Sequence, residues 1–160
     1  MGAIFVLSSN QYPFSQLFFM VLFYGILTTL TCIDSILFLL PRVFTLLLLI
    51  TGIVAIFFNN IESLYSGLLN SAFFFFCGIS VRYFYAKRKG FESFGLGDVF
   101  LMAGTGMWFS FDCAWYAVVI ASVLGIVFSY LKGVDTYIPF GPFLCSGMVI
   151  VSLVPGSMQW

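Results

Sequence analysis

Two carboxylates stand out as groups able to do chemistry. Asp34 and Asp98 each sit in an almost wholly hydrocarbon stretch, CIDSILFLL (32–40) and FGLGDVFLM (94–102). An ionisable side chain in such a setting costs free energy, so each should be paired or functional. Two carboxyls that share a proton can act in opposite senses, one as base and one as acid, which is enough to activate water. The remaining side chains narrow the options. Histidine is absent, which removes the commonest metal ligand and the usual general base of serine and cysteine hydrolases. The four cysteines, Cys32, Cys77, Cys113 and Cys145, stand singly without a CxxC pair and read as small buried hydrophobes. Any chemistry therefore runs on carboxylates, with no metal and no cofactor expected. The bland alternative is that either aspartate salt-bridges Arg42 or the 87–89 cluster, or caps a helix.

The elements that must position these groups follow from composition. Apolar residues make up 62% of the chain and charged residues 8%, against ~45–50% and ~25% in soluble domains, so the chain belongs in a membrane. In 160 residues there is room for about six helices of ~20 residues with short loops. The expectation is an all-α polytopic protein, a single domain over residues 1–160, with spans near 13–33, 42–58, 64–85, 97–111, 113–131 and 138–156. The fourth is short and carries Gly104 and Gly106; Asp112 argues for a turn after it. The net charge of zero gives no field for nucleic acid. The N-terminal apolar run lacks a basic segment before it and reads as a retained helix.

Alternating the spans puts all six basic residues, Arg42, Arg82, Lys87, Arg88, Lys89 and Lys132, on one side. Glu62 and Asp112 fall on the other. Basic loops stay cytoplasmic, so the N-terminus is expected outside. Asp34, near the end of the first helix, and Asp98, at the start of the fourth, then meet at the cytoplasmic face.

At these residues the chain resembles a known family. GLGD (95–98) is similar to the GxGD motif of the type IV prepilin peptidases, which are intramembrane aspartyl proteases. DSILFLLP (34–41) is similar to their first aspartate motif, and IPFGPFL (138–144) to a segment near their C-terminal end. The three occur in the family's order. The resemblance implies a peptidase that cuts after a glycine at the cytoplasmic membrane face, removing the basic leader of a type IV pilin or pseudopilin. Asp34 and Asp98 carry over as the catalytic pair. The positive end of a helix favours Asp98 as the member that starts ionised.

Gly95 and Gly97 form the active-site loop, where a missing side chain permits unusual angles or close approach of substrate. Glu92 matches an acidic position and either meets the basic leader or pairs with Lys87 or Arg88. Pro41, Pro139, Phe140, Gly141 and Pro142 read as a structural motif that stiffens turns. The implied partners are a prepilin with a hydrophobic N-terminal helix and membrane lipid, in a bacterial cytoplasmic (inner) membrane. Two departures stand out. The CxxC-bearing methyltransferase domain common in the family is not expected, and Phe100 replaces the family's usual lysine. Two rival readings are an archaeal-type preflagellin peptidase, against which IPFGPFL weighs, and a small transporter using the two aspartates as an ion site.

Overall fold

The computed structural model describes residues 14–37, 40–89, 95–132 and 140–159. Glu92 and Pro139 lie outside the described residues. Among the described residues six α-helices follow in order: α1 Phe14–Leu37, α2 Arg42–Asn59, α3 Leu64–Lys89, α4 Leu96–Trp108, α5 Phe111–Lys132 and α6 Gly141–Ser152. A 3-10 turn, Ile61–Ser63, joins α2 to α3. The protein is an all-α polytopic membrane protein. α1, α2, α3 with its preceding turn, and α5 are long and apolar enough to cross a membrane, and they expose large apolar side chains such as Phe18, Phe57, Phe76 and Tyr130 to the surroundings.

The helices alternate in direction. Ser15 at the start of α1 donates to Asn59 at the end of α2 at 2.8 Å. Phe75 of α3 meets Phe100 near the start of α4, ring centroids 5.5 Å apart. Phe128 near the end of α5 meets Phe143 in the first turn of α6 at 5.3 Å. α6 returns along α1, where Tyr24 and Ser152 are joined by a 2.8 Å hydrogen bond. Arg42, Lys87 and Lys132 accordingly belong to the helix ends that share a side with Asp34, while Glu62 and Asp112 lie at the opposite ends.

α4 has 13 residues, about 20 Å at 1.5 Å per residue, well short of a ~30 Å hydrocarbon core. It sits in the centre instead: ten of its 13 residues are buried, including both interior glycines. Those glycines explain how a short helix can be enclosed so tightly. A Cβ on Gly106 would lie 2.7 Å from the Asn70 carbonyl oxygen of α3, and one on Gly104 would lie 3.0 Å from Leu48 of α2. Small residues at helix interfaces let backbones approach and recover dispersion energy, the main attraction available in lipid. Trp108 closes the packing: its indole N–H donates to the Leu48 carbonyl at 2.8 Å, and its ring lies 4.6 Å from Phe23 of α1.

The expected fourth span ran to residue 111, but the helix stops at Trp108. The C-terminal segment supplies the reason. Phe109 and Met158 form an antiparallel bridge. The Gln159 backbone N–H donates to the Trp108 carbonyl at 3.2 Å, and Ser110 donates to the Ser157 carbonyl at 3.0 Å. The Gln159 side chain donates to the Phe109 carbonyl at 2.5 Å. Carbonyls that a helix end leaves unpaired are thus satisfied by a chain 50 positions away, something no local pattern announces. α1 differs in the other direction, running to Leu37 rather than residue 33, which places Asp34 inside its last turn. The cysteines also depart from expectation: only Cys145 is buried, whereas Cys77 and Cys113 are half-buried and Cys32 is exposed on α1.

Candidate active site

Asp34 and Asp98 are brought to one place by three chain segments that meet around Leu40. Asp34, in the last turn of α1, is buried at 4% exposure. Asp98 is the third residue of α4, after the N-cap Gly95. Its carboxyl reaches back to the Gly95 backbone N–H, the half of a capping box that an acidic third residue supplies. The two carboxyls act on each other electrostatically. Among the described residues, no basic side chain acts on either one, so the salt-bridge alternative to Arg42 receives no support. The backbone amide of Gly141 donates toward the Asp34 carboxyl, and Oδ2 of that carboxyl has no partner among the described residues. A buried, unpaired carboxyl oxygen is a cost that structural residues rarely carry.

The glycines are explained by close approach. A Cβ on Gly97 would fall 2.5 Å from the Leu40 Cβ and 2.8 Å from the Leu40 carbonyl oxygen. Gly97 therefore has to be a glycine for α4 to begin against the α1–α2 connection. A Cβ on Gly141 would strike both Oδ2 of Asp34 and, at 2.5 Å, Cδ1 of Leu40. A Cβ on Gly95 would press on Oδ2 of Asp98 at 3.2 Å. Gly95 itself has ordinary extended backbone, φ −68° and ψ 145°. Of the two roles expected of this glycine, unusual angles or close approach, its backbone does not require the first.

Leu40 is the residue that sequence reasoning passed over. Its backbone abuts Gly97 and its side chain abuts Gly141, so it is the wedge between the two aspartate-bearing ends. The signal was present in the Leu-Pro pair of DSILFLLP, where only Pro41 was singled out. Pro41 caps α2, its carbonyl accepting from the Phe44 N–H at 3.1 Å, and its fixed φ of −66° sets the angle at which Leu40 is presented. Phe140 caps α6, with Gly141 and Pro142 in its first turn, where a missing proline N–H leaves no helical bond unmade. Phe100 packs its ring against Phe75 of α3; an apolar side chain suits that contact.

Fold and site together define a polytopic membrane protein with a pair of carboxyls at one end of its bundle. Residues 21–130 match the Type IV leader peptidase family, and the chain belongs to that family. It is 31% identical over 131 residues to a prepilin leader peptidase/N-methyltransferase of Pseudomonas aeruginosa, covering 78% of this chain and 45% of that protein. It is 32% identical over 153 residues to a protein of the same name from Legionella pneumophila, covering 91% of this chain and 53% of the relative. A third, from Haemophilus influenzae, is 35% identical over 88 residues, 54% of this chain and 38% of the relative. The chain spans about half the length of the curated relatives it matches. No solved structure matches it.

Proposed function

We propose that this protein is an aspartyl leader peptidase of the membrane. It hydrolyses the peptide bond after a glycine and so removes the basic leader of a type IV prepilin or pseudopilin at the cytoplasmic face of a bacterial inner membrane. The observation that carries the reading is the convergence of Asp34 and Asp98 on one site, without a basic partner among the described residues and with an unpaired Asp34 oxygen. Family membership and the printed names of the relatives give it further support.

Two carboxyls in mutual electrostatic contact hold one proton between them more readily than none. The ionised member takes a proton from a water molecule, and the protonated member donates a hydrogen bond to the scissile carbonyl. Attack of that water gives a tetrahedral intermediate; proton transfer to the leaving nitrogen then breaks the carbon–nitrogen bond. Gly95 and Gly97 leave the Asp98 side of the site without side-chain bulk, which suits the approach of an extended peptide. The six basic residues on the aspartate side support a cytoplasmic placement of the site.

The test is leader removal from a co-expressed prepilin, read by gel shift and N-terminal sequencing. Wild type is expected to cleave, and Asp34→Asn and Asp98→Asn to be inactive while still present in the membrane. Cleavage by either variant at the wild-type rate would take that aspartate out of the mechanism.

A further inference from the structure

A groove of about 360 Å³ lies between α1 and α6, open on the lipid-facing side and lined by Leu27, Thr28, Thr31 and Cys32 on one helix and by Cys145, Ser146, Val149 and Ile150 on the other. Thr31 is one turn from Asp34, and Cys145 one turn from Gly141. The Cys145 thiol is within hydrogen-bonding reach of Thr31 and within electrostatic reach of both aspartates. Its α1 wall runs from Cys32 back to Leu27, about 7.5 Å at 1.5 Å per residue. About one turn of α1 beyond Leu27, Tyr24 and Ser152 are joined by a hydrogen bond. It is therefore a slot that starts one turn from the carboxyl pair and runs into the apolar part of the bundle.

Its walls are polar in name only. The hydroxyls of Thr28, Thr31 and Ser146 donate to the carbonyls of Gly25, Leu27 and Pro142 in their own helices, at 2.9, 2.7 and 2.7 Å. None of these three hydroxyls is left as an unpaired donor. At the aspartate end, short side chains form the walls, the composition that lets one helix backbone settle close to another. A second groove between α5 and α6, lined by Ser122, Gly125, Ile126, Ser129, Phe140 and Phe143, is a poorer candidate, since none of its lining residues comes from α1 or α4, the helices that carry Asp34 and Asp98.

We propose that the α1–α6 groove is the docking site for the apolar helix that follows the scissile bond of the substrate, seating about one and a half of its turns. This rests on the leader peptidase reading. Its added content is where the membrane-embedded half of the substrate lies. The bond to be cut must reach Asp34 and Asp98, and this slot begins one turn of α1 from Asp34 and one turn of α6 from Gly141. A lipid chain could fill the same space but has no reason to end at a carboxyl pair.

The native Cys32, exposed on the groove, provides the probe. In the Asp98→Asn variant, which is expected to retain uncleaved substrate, single cysteines are scanned along the apolar helix of a co-expressed prepilin and oxidised in the membrane. Disulfide adducts are expected within the first two helical turns after the cleavage site, and Cys32→Ala should abolish them. Adducts formed instead with a Ser122→Cys variant, or none with Cys32 while wild type still cleaves the same prepilin, would overturn the groove and leave the peptidase reading standing. Failure of wild type to cleave would remove both. As a second arm, Ser146→Phe narrows the slot and should raise KM about tenfold, or about 1.4 kcal/mol of binding. Val119→Phe, on an exposed face of α5 away from the groove, should leave KM unchanged. Equal KM values in the two variants would also overturn the proposal.

Discussion

Replacing Gly97 by alanine asks whether the site depends on the contact between α4 and Leu40. The added Cβ would sit 2.5 Å from the Leu40 Cβ and 2.8 Å from its carbonyl oxygen. Carbon atoms rest about 3.5–4.0 Å apart, so something must move by roughly 1 Å. The obstacle is backbone on one side and a Cβ on the other, so no flexible side-chain end can absorb the shift. Gly97 is the residue before Asp98, and Leu40 also touches Gly141 beside Asp34; the displacement therefore changes the spacing of the two carboxyls. A misplacement of about 1 Å in a catalytic group costs on the order of 100-fold in rate, or about 2.7 kcal/mol of barrier. Overpacking adds about 1–3 kcal/mol of lost stability. Purified wild type and Gly97→Ala would be compared for the initial rate of prepilin cleavage and for thermal unfolding in the same detergent. Gly25→Ala serves as control, because a Cβ there meets nothing within 4 Å, and its rate should be unchanged. A Gly97→Ala rate within twofold of wild type would refute the claim that this contact sets the aspartate geometry.

Gly141→Ala places a methyl group against Asp34 Oδ2 and Leu40, and should lower kcat by about 100-fold for the same geometric reason, in the same cleavage assay. Trp108→Phe removes the buried indole N–H that reaches Leu48 at 2.8 Å. It should cost about 1 kcal/mol of stability, seen as a lower unfolding temperature, while cleavage by the folded protein changes little, since Trp108 lies at the end of α4 away from Asp98.

How much of this was legible beforehand depends on the range of the interaction. Asp34 and Asp98 were identifiable one residue at a time, because a carboxylate in hydrocarbon is costly wherever it occurs. The alternation of helices and the common side of the basic residues followed from span count and charge alone. The GLGD and IPFGPFL glycines were visible as glycines, but the sequence left two roles open at Gly95, unusual angles or close approach, and its extended backbone does not need the first. The groove between α1 and α6 could not be foreseen, since its two walls are more than a hundred positions apart in sequence.

By itself, then, the sequence determined a polytopic helical membrane protein and the carboxylates that distinguish it, because hydropathy and the cost of a lone charge are local quantities that sum along the chain. Only the tertiary structure decided that α4 lies in the centre, ended by Gln159 and Ser157, and that Leu40 separates Gly97 from Gly141. It also placed Asp34 beside Asp98 with one oxygen unpaired. Those outcomes depend on ångström-scale fits between backbones distant in sequence, for which a missing Cβ is the only trace a sequence carries.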